Sequence, residues 1–269
     1  MKKKGVALLI IALLAFSALT IGIGLWTSRK IETELYEETL NLSSPIRVCQ
    51  ISDLHYPYNG ADLDKLSEEI TDISPDLVFL TGDIFDGKAR KEDMSELYSF
   101  LSSLASARSV YAVIGNHEIG SPLLEEYTDF CRNNKINLLL DKTAVFRKGT
   151  LTVKITGLKD GKLLNETNVP DYFTEKNASL NFVLAHRPEL FDSYVSAKAG
   201  FVFAGHAHGG QMRFFGKGMY APDQGLFPSY TSGRYSAAKT VMFVSRGLGD
   251  GYSSFRCFNP YHLIVVDFV

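Results

Sequence analysis

Apolar and polar positions follow two rhythms along this chain. Arg47-Val48-Cys49-Gln50-Ile51, Leu77-Val78-Phe79-Leu80 and Val110-Tyr111-Ala112-Val113-Ile114 are apolar runs of strand length. Between the first two, Leu63, Leu66, Ile70 and Ile73 recur at helical spacing, so Ala61 to Ile73 is predicted to be an amphipathic helix. Further helices are predicted over about Lys91 to Leu104 and from Pro122 to Asn134, with Pro122 suited to a first turn. Such alternation argues for an α/β domain with largely parallel strand pairing. Beyond it the pattern turns to strands: Ile136 to Leu140, Ala144 to Arg147, Leu151 to Thr156, Leu180 to Ala185, Phe201 to Ala204, Thr240 to Ser245 and His262 to Phe268. One layered core is expected, with no internal repeat and no further domain boundary after Pro45.

The first residues have a different pattern. Residues 5–26 are apolar and uncharged, and a tail of residues 1–4 ahead of them carries Lys2, Lys3 and Lys4. About 20 apolar residues span a bilayer, which predicts a transmembrane signal anchor. Ala15-Phe16-Ser17-Ala18 offers a weak cleavage site, so a removed signal peptide is the alternative. The lysines favour a cytoplasmic N-terminus and an extracytoplasmic globular domain, although Arg29 and Lys30 on the far side oppose this. Residues 27–45 read as a connector. Within it Ile31, Thr33 and Leu35 alternate with glutamates, as in a solvated edge strand, and a short helix fits nearly as well. Residues 46–269 form the globular domain.

Composition narrows the picture only a little. A net charge of −2 over 269 residues, with no basic stripe, gives no reason to expect nucleic acid as a partner. Cys49, Cys131 and Cys257 are too far apart for a thiolate metal motif, and Cys49 reads as a small buried hydrophobe.

Candidate chemistry recurs directly after the apolar runs. Asp53-Leu54-His55 follows the first, Gly82-Asp83-Ile84-Phe85-Asp86 the second and Gly115-Asn116-His117-Glu118 the third. His186 follows Asn181 to Ala185, and Gly205-His206-Ala207-His208-Gly209-Gly210 follows Phe201 to Ala204. In open α/β sheets, ligands bind beyond the carboxyl ends of the strands. Two histidines at i, i+2 in extended chain point to opposite sides, which suits two metal ions better than one.

This set, in this order, resembles the calcineurin-like metallophosphoesterase family from about Ile46 onward. The wording around His206 to Gln211, Tyr220-Ala221-Pro222, Gly225-Leu226-Phe227-Pro228 and Ser245-Arg246-Gly247-Leu248-Gly249 is similar to a membrane-associated bacterial branch. That branch holds phosphodiesterases and UDP-diacylglucosamine pyrophosphatases. The resemblance implies a four-layer α/β/β/α sandwich with two metals at its rim. It assigns Asp53, His55 and His208 to one ion, Asn116, His186 and His206 to the other, and Asp83 to both. It also implies that His117 serves as the acid at the leaving oxygen and that Asp86 orients it. Glu118 stands where many phosphodiesterases of the family carry Asp, a change expected to leave the chemistry intact. His262, near the family's last motif, reads as a strand-edge histidine.

Imidazole and carboxylate donors suit Mn²⁺, Zn²⁺ or Fe²⁺. Two divalent ions outweigh the two carboxylates and a bridging hydroxide, the expected nucleophile, by a net charge of about one. Such a site attracts a phosphoryl group. The expectation is therefore hydrolysis of a phosphodiester or pyrophosphate, with lipid-linked substrates among the candidates. A phosphomonoesterase or protein phosphatase on the same centre, or a non-catalytic anchored phosphate-binding protein, are the alternatives. Arg187, Arg213 and Arg246 lie beside the motifs and either grip a second phosphate or serve the structure. The aromatic run Phe214 to Tyr230 either packs over the sheet edge or rests at a bilayer and admits an acyl chain.

Overall fold

The computed structural model describes residues 2–58, 60–161, 178–250 and 255–269. Six helices are named here: α1 (Lys2–Thr27), α2 (Leu63–Ile73), α3 (Ser95–Ala107), α4 (Asn116–Ile119), α5 (Leu124–Asn133) and α6 (Phe191–Ser196). The first sheet contains β1 (Ile31–Glu38), β2 (Ile46–Ile51), β3 (Leu77–Thr81), β4 (Ser109–Val113), β5 (Asn137–Leu138) and β16 (Tyr261–Phe268), in the order β1-β16-β2-β3-β4-β5. The second contains β6 (Lys142–Lys148), β7 (Leu151–Gly157), β8 (Leu180–Leu184), β9 (Phe201–Ala204), β14 (Gly233–Ala237) and β15 (Thr240–Val244), in the order β14-β15-β9-β8-β7-β6. Two small hairpins lie between β9 and β14: β10 (Arg213–Phe214) with β11 (Lys217–Gly218), and β12 (Tyr220–Ala221) with β13 (Gly225–Leu226).

Each central strand is apolar on both faces because each face meets a different layer. In β3, Leu77 and Phe79 face the second sheet, while Val78 and Leu80 join the cluster shared with α2, α3 and α5. In β8 and β9, Phe182, Leu184 and Phe203 enter the inter-sheet core, and Val183, Val202 and Ala204 pack toward α6. This is period-two alternation between two buried faces. The single expected core is thus three apolar clusters separated by two sheets, in helix–sheet–sheet–helix order. Phe79 sits at the inter-sheet centre, with ring centroids 5.0 Å from Phe203 and 5.6 Å from Phe182. Truncating a side chain so enclosed costs about 3–5 kcal/mol.

The connector resolves as a strand. β1 runs parallel to β16 with Ile31 opposite Tyr261, a pairing that no helix could make. Asp62 caps α2 by accepting from the Asp64 and Lys65 amides, each at 3.1 Å, so the helix begins two residues later than predicted. Of the expected strand Ile136 to Leu140 only Asn137–Leu138 pairs, whereas β14 is a strand that the apolar pattern did not signal. His262 is not at a strand edge exposed to solvent. It lies in β16 between β1 and β2, fully buried, with Nε2 2.9 Å from Glu34 Oε2.

α1 is the one described helix long and apolar enough to cross a membrane, from Val6 to Thr27. Its last turn is tied to the body: Ser28 Oγ accepts from the Asn259 amide at 3.0 Å, and Gly24 O accepts from the Phe258 amide at 3.0 Å.

Candidate metal centre

β2, β3 and β4 are mutually parallel, as are β8 and β9, so their carboxyl ends lie on common edges. The loops leaving these ends carry the candidate residues. Three cross-sheet contacts bring the two edges together. Gln50 Nε2 donates to Ala204 O at 2.9 Å, His186 Nδ1 lies 2.8 Å from Thr81 O, and the His206 amide donates to Asp53 Oδ1 at 2.9 Å. A Cβ at Gly205 would collide with Ser52 and Asp53, so the two strand ends meet this closely only with glycine there.

The backbone turns sharply at the donors. Asp53, His55, Asp83, His206 and His208 all have left-handed φ, between 47° and 63°. For non-glycine residues this conformation is uncommon, and it concentrates at functional sites. The two histidines of the Gly-His-Ala-His motif therefore do not separate by strand alternation, as expected. They reach different donor groups because the chain between them is coiled back at both positions.

Among the described residues four groups of donor atoms form, each within 4.8 Å: Asp53–His55–His208, His55–Asp83–His117, Asp83–His186–His206 and, at the rim, Glu189–His206–Asp223. Asp83 Oδ2 lies 3.2 Å from His186 Nε2 and 3.7 Å from His55 Nε2, so this carboxylate belongs to both halves. His55 Nε2 and His208 Nε2 are 3.1 Å apart. Asn116 opens α4 between Gly115, whose added Cβ would strike Asp83 and His186, and His117, whose amide donates to Asp83 Oδ1 at 2.9 Å. Asn116 Oδ1, His186 Nε2 and His55 Nδ1 are buried and make no hydrogen bond among the described residues. Buried polar atoms are rarely left so, and a cluster of them among carboxylates fits cation binding. With Nδ1–H held at the Thr81 carbonyl, Nε2 is the nitrogen of His186 left to hold a proton or a metal ion beside Asp83.

Electrostatics agree with that fit. Burial pushes His186 downward, but Asp83 outweighs it and raises the imidazole to about 10. Burial drives Asp83 up, but His186, His55 and His117 together hold it well below the usual carboxylate range. Burial lowers His208 well below its ordinary value. The pocket therefore already pairs positive with negative charge at Asp83, where a cation would take the place of a proton.

His117 is set apart. Its side chain is 32% exposed where the neighbouring His55 and His186 are enclosed. Its Nδ1 accepts from the Gly87 amide at 3.1 Å, leaving the proton on Nε2. Asp86 Oδ2 approaches the same Nδ1 at 3.3 Å and His55 Nδ1 at 3.5 Å, so it stands between the two rings. Burial lowers His117 from its ordinary value. Glu118 faces inward, accepting from the Asp83 and Gly115 amides at 2.8 Å through Oε2 and from the Ile84 amide at 2.6 Å through Oε1.

Two residues escaped the sequence reading. Asp223, in the β12–β13 hairpin, has Oδ2 3.0 Å from His206 Nε2 and also pairs with Arg187. The only hint was its place directly after the Tyr220-Ala221-Pro222 block. Asn259 donates to His208 O at 2.7 Å and to Gln211 O at 3.1 Å, buckling the motif's far end. Among the three arginines, Arg213 holds Gly209 O at 2.7 Å and Arg246 pairs with Glu32 at 3.1 Å, so both serve the structure. Arg187 sits at the rim, engaged by Asp160 and Asp223. Tyr230 packs against Phe191 and Tyr235, whereas Phe215, Leu226 and Phe227 are exposed.

Known proteins resemble this chain in sequence and in fold. The chain is 26% identical over 275 residues to the UDP-2,3-diacylglucosamine pyrophosphatase LpxG of Chlamydia muridarum, covering 82% of this chain and 83% of that one. It is 28% identical over 261 residues to the uncharacterized metallophosphoesterase YkuE of Bacillus subtilis, covering 88% and 86%. Its fold resembles TT1561 of Thermus thermophilus with a TM-score of 0.51 at 12% identity, covering 77% of this chain and 92% of that one. Residues 46–210, the stretch that carries all seven candidate donors, match the calcineurin-like phosphoesterase family, and the chain belongs to it.

Proposed function

We propose that this protein is a membrane-anchored hydrolase of phosphodiester or pyrophosphate bonds, with lipid-linked substrates favoured. The observation that carries the reading is Asp83 Oδ2, which lies within 3.7 Å of one imidazole from each half of the centre. Asp53, His55 and His208 would hold one divalent ion, Asn116, His186 and His206 the other, with Asp83 shared; Mn²⁺, Zn²⁺ and Fe²⁺ all suit these donors. When bound, two such ions supply a water of lowered pKa and a positive clamp on the phosphoryl oxygens.

The chain's own groups do the rest. His117, its ring partly open to solvent, would donate from Nε2 to the departing oxygen as the imidazolium, in which Nδ1–H releases the Gly87 amide and turns to Asp86 Oδ2, 3.3 Å away. Asp86 steadies that ring from its buried side. α1 supports the anchor reading: 22 residues with mean hydropathy 2.7 extend about 33 Å, close to the hydrocarbon thickness of a bilayer. Lys2, Lys3 and Lys4 favour a cytoplasmic N-terminus with the hydrolase outside. The similarity to a pyrophosphatase acting on a diacylated nucleotide sugar favours lipid-linked pyrophosphates within the broader class.

The test uses the full chain in detergent, stripped of metal and reloaded with Mn²⁺, Zn²⁺ or Fe²⁺. Phosphomonoesters, phosphodiesters and nucleotide-sugar lipids are offered in parallel. Diester or pyrophosphate turnover that returns only with added metal is expected. Preferential monoester turnover would replace the reading with a phosphatase, and no turnover with any metal would replace it with a binding protein.

A further inference from the structure

The tip of the β10–β11 hairpin is built against ordinary turn chemistry. Its two central residues are Phe215 and Gly216, with φ of 49° and 77°. Asn, Asp or Gly favours such a left-handed pair, and a phenylalanine gains nothing there from the backbone. It gains nothing from packing either, because Phe215 is fully exposed and its neighbour Phe214 is 44% exposed. One isolated surface phenylalanine needs no account, but two adjoining ones at a strained tip do.

Their surroundings identify what covers them. The Phe214 ring lies 6.2 Å from that of Phe258, and the Arg213 amide donates to Cys257 O at 3.0 Å. Residues 257 and 258 in turn press on Gly24 of α1, where an added Cβ would meet Cys257 Sγ and come within 2.9 Å of the Phe258 ring. Gly24 is three residues inside the end of the apolar span, or about 4.5 Å along the helix axis. Trp26, 64% exposed with Lys30 Nζ 3.9 Å over its ring, marks the level at which membrane proteins meet headgroups. A chain of direct contacts thus fixes the hairpin tip at the height where α1 leaves the bilayer.

We infer that Phe214 and Phe215 insert into the headgroup layer of the bilayer spanned by α1, so that the protein touches its membrane at a second point. The inference rests on the anchor reading above. Asn259 joins this contact to the metal centre, since its amide binds Ser28 and its side chain binds His208 O. The second contact would hold the centre's rim at the lipid surface rather than letting it swing on the helix, which suits an acylated substrate that never leaves the membrane.

The experiment uses the full chain in phosphatidylcholine–phosphatidylglycerol vesicles. The native cysteines Cys49, Cys131 and Cys257 are all buried, so Phe215→Cys can carry a nitroxide label. Lys239→Cys, exposed ahead of β15 at the opposite edge of the second sheet, is the aqueous reference. The label at 215 should collide severalfold less with a water-soluble nickel chelate than the label at 239, and more with oxygen. Equal nickel accessibility in a chain that floats with vesicles after carbonate washing would overturn the insertion and leave the anchor standing. A chain that fails to float would overturn both.

Discussion

His206 Nε2 and Asp223 Oδ2 are 3.0 Å apart, although no strand joins the segments that carry them. Asp223 also engages Arg187, whose other arm binds Asp160 at 2.8 Å, so the carboxylate is itself held. A carboxylate on the outer nitrogen of a ligand histidine fixes ring orientation and raises its basicity. Asp223→Asn should therefore weaken retention of the ion assigned to His186 and His206 by about 10–100-fold, leaving the other less affected. Metal content after dialysis against graded chelator reads this directly. Unchanged stoichiometry would make Asp223 a surface residue.

His117 separates chemistry from metal binding. Its Nδ1 accepts from the Gly87 amide at 3.1 Å, and its side chain is 32% exposed. His117→Ala should lower kcat by about 10²–10⁴ while both ions stay bound. The deficit should shrink for substrates whose leaving group needs no proton, such as a nitrophenolate. An equal loss on every substrate would argue that His117 is a metal ligand, in keeping with its proximity to His55 and Asp83.

Glu118 is a buried brace on the loop of Asp83. Its two oxygens accept from the amides of Asp83, Ile84, Phe85 and Gly115. In Glu118→Gln, one oxygen becomes an N–H₂ group facing amide donors. Leaving a buried donor unpaired costs about 1–3 kcal/mol. Urea unfolding in detergent should show at least that loss, with weaker metal retention because the Asp83 turn is freed. Full stability would mean that water takes over the contacts.

Much of this centre could be read in advance because each donor directly follows a strand. Order along the chain then reports position at a sheet edge, and Asp53, His55, Asp83, His186, His206 and His208 fall in overlapping groups of donor atoms, while Asn116 opens α4 beside them with its Oδ1 buried. Asp223 and Asn259 could not be read, since their roles depend on how two loops fold back over 17 and 51 residues. The division into two sheets followed from the resemblance to the family and not from the apolar pattern. Runs such as Leu77 to Leu80 are apolar on both faces, and periodicity says nothing of which strand is next. β14 was missed because Gly233-Arg234-Tyr235-Ser236-Ala237 is a half-exposed edge with no apolar run. The connector was ambiguous until its partner, β16, decided for a strand.

His262 and Glu34 make acid stability a test of the first sheet. His262 Nδ1 accepts from the Arg246 amide at 3.2 Å, so its one proton is on Nε2, directed at Glu34 Oε2. Burial lowers His262 from 6.5 to about 4. The hydrogen bond from His262 lowers Glu34 from 4.5 to about 2. Both groups bind protons more readily in the unfolded chain, so stability rises with pH across both windows. On acidification, the His262 contribution is lost between about 6.5 and 4, on the order of 3 kcal/mol, and the smaller contribution of the more exposed Glu34 between about 4.5 and 2. The Tm of the native chain in detergent should accordingly fall from pH 7 to pH 4. His262→Gln should start lower at pH 7 and fall less steeply. The metal-site histidines titrate alike in both chains, so the difference between the two curves isolates this pair. Parallel curves would mean that protonation of His262 does not strain the junction of β1 and β16.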